Sequence, residues 1–579
     1  MNDALPNPAE RAAKEALDRM NTCIDEGKCF RFEAGAGAGK TYSLVKALTY
    51  LIDKQGMGLI RRHQQVACIT YTNVATNEIT SRTDGHPAVL SSTIHSFCWS
   101  LIKDFQPILR ELLPQLPKWQ ERLDEVGGVG ARRIDYDLGY PTVREEDILL
   151  YHNDVLSLTV KLMEYDKFRR VFASRYPILL VDEYQDTDKG FAEAVKTHFL
   201  SSGEGPLVGF FGDHWQKIYG TGCGQIDHPG LAVIGKQANF RSVGAIVDVL
   251  NRMRPDLPQE VTDPHANGSV AVYHTNEWVG QRRTEGHWVG DLPPDVAHTY
   301  LAALTARLAT AGWDMSPAKT KILMLTHNVL AGEQGYSNLA AVFPNNDMFI
   351  KKEDDHIAFL VDTLEPVCTA YRDERFGEML AALGSRLPAM HSLADKAAWV
   401  RDMDTLMELR SSNTIGAVLD HLRNTKRPRL PDAVEQKERK LEQTTDELDS
   451  EESSSTKRLR QLRTVPYQEV VALARFVDGH TPFSTKHGVK GAEFENVLVV
   501  FGRGWNLYNF NQFLEWAGGV VPADKQESFA RNRNLFYVVC SRPKTRLALL
   551  FTQQLSNAAV ATLANWFGSE SIHSLPQSA

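Results

Sequence analysis

At 579 residues the chain is longer than one hydrophobic core usually supports, so two large lobes with smaller insertions are expected. Its 43% hydrophobic and 23% charged residues are ordinary for a globular protein; with no signal-peptide pattern and no apolar run of about 18 residues, a cytoplasmic chain making no membrane contact is expected. The net charge of −8 excludes a generic basic nucleic-acid coat, so any nucleic acid has to sit in a local groove.

The opening stretch to Glu26 reads as a helix, because Ala12, Ala13, Ala16, Leu17 and Met20 recur at helical spacing. "CFRFEA" reads as a short strand, and the helix after the following glycine-rich turn carries Leu44, Leu48 and Leu51 on one side. "VACITYTN" (Val66 to Asn73) is a second strand, which makes this region an α/β lobe with a parallel sheet. A mixed segment, 101–150, interrupts the lobe. "YPILLVDE" then supplies a strand whose apolar run, Ile178 to Val181, suits a central position covered on both faces. The first lobe is thus expected from 1–100 and 151–230. A second α/β pattern begins at 231, with strands at "SVAVYHT" (Ser269 to Thr275), "KILMLTHN" (Lys321 to Asn328) and "NVLVVFG" (Asn496 to Gly502). It is expected over 231–350 and 476–579, divided by a mostly helical insertion at 351–475. Within that insertion, 432–463 is highly charged, has no aromatic residue and reads as a solvated helix or a partly disordered connector. The basic runs "KRLRQLR" (Lys457 to Arg463) and "RNRN" (Arg531 to Asn534) read first as solvated faces. Seven cysteines, odd in number and never spaced C-x-x-C, are expected to be reduced and mostly buried.

The chemistry is carried by two short motifs. In "AGAGAGKT", the residues Ala34, Gly35, Ala36, Gly37, Ala38, Gly39, Lys40 and Thr41 match a phosphate-binding loop with alanine at its first glycine position. Small residues let backbone N–H groups close around phosphates at a helix N-terminus; Lys40 reaches the β and γ phosphates and the Thr41 hydroxyl binds Mg²⁺. At the end of the buried strand stands "VDEYQDT" (Val181 to Thr187). There Asp182 would hold the magnesium ion and Glu183 would orient and deprotonate the attacking water.

Taken with "TYTNVATNEI" (Thr70 to Ile79), "TIHSF" (Thr93 to Phe97), "GDHWQKIYG" (Gly212 to Gly220), "NFRS" (Asn239 to Ser242), "TKHGVKGAEFENV" (Thr485 to Val497) and "RNLFYVVCSRPK" (Arg533 to Lys544), these motifs resemble, in order, those of the UvrD/Rep/PcrA helicases of superfamily 1. The resemblance implies two RecA-like P-loop NTPase lobes with parallel sheets, each carrying a mainly helical insertion. It also implies ATP and Mg²⁺ as cofactors and ATP-driven 3′ to 5′ movement on single-stranded DNA or a 3′-tailed duplex. Carried over by position, it assigns Gln216 to γ-phosphate sensing, Phe240 to stacking on the base, Arg241 and Arg542 to arginine fingers, and Glu493 to the ribose. Tyr71, Thr72, Asn73, His95 and Tyr219 would line the DNA path, with His487 and Lys490 where it meets the ATP site.

The sequence departs from that pattern in two places. Residues 1–31 contain no glutamine to read adenine, and "TGCGQ" (Thr221 to Gln225) stands where the family has an aromatic-arginine-glycine-alanine run. Trp215 reads as packing rather than a substitute platform. The carboxy-terminal nuclease domain of RecB-type relatives is not expected. "HIAFLVDTLEPVCTAYRDERFGEMLAAL" (His356 to Leu383) and "LRSSNTIGAVLDHL" (Leu409 to Leu422) are similar to the helicase-like subunit of Gabija-type anti-phage systems. That similarity implies an OLD-family (Toprim) nuclease as partner, and with it the alternative of a nucleotide- and DNA-responsive regulatory subunit with little processive unwinding.

Overall fold

A computed structural model describes residues 7–137, 141–218, 220–324, 327–384, 392–443, 453–485, 492–503 and 507–575. The first helix, α1 (Pro8–Asp25), starts where the sequence places its signals: Asn7 caps it, Pro8 takes the first turn, and the Asn7 and Glu10 side chains exchange hydrogen bonds with each other's backbone N–H. The strands of the first sheet are β1 (Phe30–Ala34), β2 (Val66–Thr70), β3 (Val89–Thr93), β4 (Ile178–Asp182), β5 (Leu207–Gly212) and β6 (Ala232–Lys236). They lie in the order β3-β2-β4-β5-β1-β6, every pair parallel. Burial on both faces explains the unbroken apolar runs of β2 and β4. Phe30, Phe32 and Phe211 interlock at centroid distances of 5.7 and 5.4 Å, and each fully buried ring is worth about 1.5–3 kcal/mol.

The second sheet contains β7 (Ser269–His274), β8 (Thr320–Met324), β9 (Phe483–Thr485), β10 (Phe494–Phe501), β11 (Pro543–Phe551) and β12 (Ile572–Ser574), in the order β9-β8-β10-β11-β7-β12. All its pairs are parallel as well. Counted along the chain within each sheet, both orders are 3-2-4-5-1-6. One α/β architecture is thus used twice, as expected of two RecA-like lobes. The first sheet takes in β6, which lies beyond the division read at 231, because β6 pairs along its whole length with β1.

Residues 101–150 add short helices and a small three-stranded sheet to the first lobe. The described residues between β8 and β9 are mainly helical and have their own core around Leu360, Leu364, Leu419 and Tyr467. The charged stretch at 432–463 is helical in its described residues and is partly anchored to the core. Its described parts are two packed helices, Asp432–Gln443 and Ser454–Thr464, that bury Val434, Leu459 and Leu462. Glu438 is 1% exposed and is held by His356 Nε2 at 2.9 Å and by Arg463, which also pairs with Asp420. Paired carboxylates explain how so polar a sequence joins a core. All seven cysteines are free, and five are buried. No helix among the described residues is long and apolar enough to cross a membrane.

Candidate functional site

Strand β1 ends at Ala34, and helix α2 (Lys40–Arg61) begins six residues later along the loop, so the loop between them aims its backbone at the N-terminus of α2. Two glycines are required there. Gly37 and Gly39 have φ of 77° and 72°, and a Cβ on Gly37 would lie 2.6 Å from Asn239 Oδ1 and 2.9 Å from Arg241 Cβ. The loop is braced by Asn239 Nδ2, which donates to the Ala36 carbonyl at 3.0 Å, and by Phe240 N–H, which donates to that of Gly37 at 2.9 Å.

Across the cleft, β4 delivers Asp182 and Glu183. Glu183 takes a left-handed φ of 49°, a strained choice for a side-chain-bearing residue that recurs at functional sites. The turn aims its carboxylate at Lys40, whose Nζ donates to Glu183 Oε2 at 2.7 Å. Burial opposes the charge on Lys40, but Glu183 and Asp182 outweigh it and raise its pKa. Burial raises the pKa of Asp182, and the adjacent Glu183 raises it further, with Lys40 opposing. These hard oxygen donors, the Thr41 hydroxyl and the buried Asp182 carboxylate, fit Mg²⁺, which would relieve the crowded negative charge. Thr41, Asp182 and Glu183 line one cleft of about 560 Å³ together with Lys40, Gln216, Phe240, Arg241, Glu493 and Arg542.

The residues expected from beyond the first sheet therefore reach the same cleft. Arg542 is 2% exposed and, among the described residues, donates to neutral oxygens: Val538 O at 2.9 Å, Ser541 Oγ at 3.1 Å and Ala492 O at 3.4 Å. Burial and the nearby Arg241 cation push its pKa down to about 9. Arg241 is engaged by Glu493 Oε2 and the Ser541 carbonyl, both at 3.0 Å, and Lys544 holds the other Glu493 oxygen at 2.8 Å. Gln216 donates to Asp213 at 2.8 Å.

Tyr71 is half-exposed and lines both this cleft and an adjoining cavity of about 640 Å³ that also contains His95 and Thr221. Thr72 and Asn73 are exposed beside it; the Thr72 hydroxyl caps helix α3 (Asn73–Arg82) by accepting from Ala75 N–H at 3.2 Å. His95 sits 4.6 Å from the His152 ring, and burial with that neighbour lowers its pKa to about 4. It is therefore neutral at pH 7. Tyr219, His487 and Lys490 lie outside the described residues.

Several residues that shape the site are not among those the sequence assigned to it. Tyr42 lines the cleft, and Lys236 is buried behind it. Buried Arg254 holds Asp213 at 2.6 Å, and Asn534 donates to the carbonyls of His214 and Lys217 at 3.0 and 3.1 Å. Trp215 is 9% exposed, with the Arg533 and Arg254 guanidiniums 4.1 and 5.1 Å from its ring and Tyr537 edge-on at 5.4 Å. It is packing between the lobes. "TGCGQ" folds onto "DEYQDT": Cys223 and Gly224 N–H donate to Thr187 and Gln185 carbonyls at 2.8 and 3.0 Å, and a Cβ on Gly222 would meet Gln185 O at 2.3 Å. No side chain fits there.

The AAA domain family matches residues 13–222. The chain is 23% identical to Gabija protein GajB of Bacillus cereus over 95% of this chain and 96% of that protein. It is 26% identical to ATP-dependent DNA helicase Rep of Escherichia coli over 44% of this chain and 43% of Rep. For ATP-dependent DNA helicase PcrA of Staphylococcus aureus the values are 23%, 42% and 40%. The chain thus aligns with less than half the length of the Rep and PcrA helicases. The matched domain, the paired parallel sheets and these relatives agree with the ordered motifs: the chain is a P-loop ATPase similar to the UvrD-like superfamily 1 helicases and to the Gabija-type helicase.

Proposed function

We propose that this chain is an ATP-dependent DNA translocase that moves 3′ to 5′ on single-stranded DNA. The observation that carries the reading is that Arg241 and Arg542 line the same cleft as Lys40, Asp182 and Glu183. Lys40 is paired with Glu183. Arriving β and γ phosphates offer Lys40 stronger partners, which releases Glu183 to take the proton of the attacking water. Among the described residues Arg542 has no carboxylate hydrogen-bond partner, so charge developing on the transferred phosphoryl group is where its cation is best stabilised. Mg²⁺, held by Thr41 and Asp182, would supply charge neutralisation at the phosphate oxygens. Gln216 joins the cleft to the Asp213–Arg254 pair and, through residues 214–217, to Asn534 of the second lobe. Hydrolysis is thereby tied to lobe movement. Tyr71, Thr72 and Asn73 offer a sequence-tolerant grip on bases beside the cleft.

The likeness to GajB spans the insertion as well as the motifs. It favours a role in anti-phage defence beside an OLD-family (Toprim) nuclease, with a second reading as a nucleotide- and DNA-responsive regulatory subunit. The packed "TGCGQ" segment points the same way. Losing one stacking platform forfeits about 1–3 kcal/mol per base, comparable with the mean of about 1.4 kcal/mol needed to open a base-pair step. The isolated chain is therefore expected to step along single strands and stall at duplex. Strand displacement on 3′-tailed and 5′-tailed duplexes checks this: weak unwinding from the 3′ tail alone is the expected result. Robust unwinding would show the coupling argument to be wrong, and a preference for the 5′ tail would reverse the polarity.

A further inference from the structure

We propose that Lys236 is a positioning residue for nucleotide binding, its buried ammonium holding Phe240 and Tyr42 as the platform on which the base stacks. The inference rests on the ATPase reading above and names a residue that no motif assigns. Lys236 is the last residue of β6, pairs with Ala34 at the start of the phosphate loop, and is fully buried. Its Nζ donates to Ser43 Oγ at 2.9 Å and to the Gly39 carbonyl at 3.4 Å. It also lies 5.4 Å from the Phe240 ring centroid and 5.7 Å from that of Tyr42. The rings are 43% and 50% exposed and both line the nucleotide cleft; Lys46 Nζ also lies 5.4 Å from the Tyr42 centroid, from the exposed side chain of the next helical turn, whereas no other cation lies over Phe240 among the described residues.

No carboxylate is among the contacts of this ammonium in the described residues. Burial alone lowers its pKa, to about 8, which leaves it charged at neutral pH. A buried charge without a counter-ion destabilises a fold, and a hydrocarbon of similar length would cost less. The chain nonetheless places a lysine there. Desolvated cations bind aromatic faces more tightly than exposed ones, so the ammonium fixes ring orientation where a base has to stack. Nothing is orphaned by its removal, because Gly39 O also accepts from Ser43 N at 3.2 Å and from Ser43 Oγ at 3.3 Å.

The test is Lys236→Met in the full chain, read by calorimetric binding of ATP and of inorganic tripolyphosphate with Mg²⁺, and by thermal melting without ligand. ATP binding should weaken about tenfold, tripolyphosphate binding should hold, and the ligand-free protein should melt higher. In steady-state hydrolysis the loss should fall on KM rather than kcat, and in a background lacking both rings, Phe240→Ala with Tyr42→Ala, the substitution should cost no further ATP affinity. Lys236→Gln, which keeps a donor for Ser43 without the charge, should show the same ATP-selective loss. Equal weakening of both ligands would place Lys236 in the phosphate cradle and overturn the proposal, as would unchanged ATP affinity in either variant. Wild-type protein that binds neither ligand would sink the nucleotide reading itself, whereas wild-type protein binding both equally would sink only the base platform.

Discussion

Glu183→Gln should bind ATP at least as tightly as the wild type while losing about 10²- to 10⁴-fold in turnover, the range a positioned general base contributes. The asymmetry follows from the contacts of the two side chains. Glu183 accepts from Lys40 at 2.7 Å and from the Gln185 side chain. The amide removes only the anion: it can still accept from Gln185, it frees Lys40 for phosphate, and it cannot take a proton from water. Lys40→Ala should do the opposite and weaken ATP binding, because it deletes the cation that meets the β and γ phosphates. Titration with a fluorescent ATP analogue, alongside steady-state hydrolysis, separates the two. Equal loss of ATP affinity in both variants would contradict the assigned roles.

Arg542→Ala should lower kcat by about 10³- to 10⁵-fold, the range an arginine finger contributes, while largely sparing ATP affinity. Among the described residues its guanidinium donates to backbone carbonyls and to Ser541 Oγ, so a charged phosphoryl oxygen is a stronger partner than those it has. Arg542→Lys should not restore the rate, because a point charge lacks the planar fork that spans two phosphoryl oxygens. Melting curves check that the buried site survives truncation. Near-normal turnover in the alanine variant would remove Arg542 from the site.

What was legible in the sequence is what depends on local chemistry. The phosphate loop, the Asp182–Glu183 turn and the run Ile178 to Val181 each declare themselves through a spacing or an unbroken apolar stretch. Strand β5 was not read. Glycine weakens an isolated strand, yet a Cβ on Gly209 would come within 2.7 Å of Phe30 and 2.8 Å of Leu180, so tertiary packing requires it. The charged stretch reads as a helix, and its described parts are the helices at 432–443 and 454–464; what no local pattern carries is the buried Glu438, paired with His356 82 residues away in sequence. Lys236 and Arg254 escaped notice likewise, since a lone cation shows nothing until the fold sets it beneath Phe240 or against Asp213. Trp215 followed the expectation of packing, because the second lobe covers it with Tyr537 and Arg533.

The claim that the two lobes form a DNA-driven motor is tested most directly by ATP hydrolysis of the purified chain with and without single-stranded DNA. Tyr71 lines both the nucleotide cleft and the adjoining cavity, so strand binding there should favour closure of Arg241 and Arg542 onto the phosphates. The account predicts a low rate without DNA, a severalfold rise on adding single strands, and loss of that rise as salt releases the phosphate contacts. A rate indifferent to single-stranded DNA would contradict it.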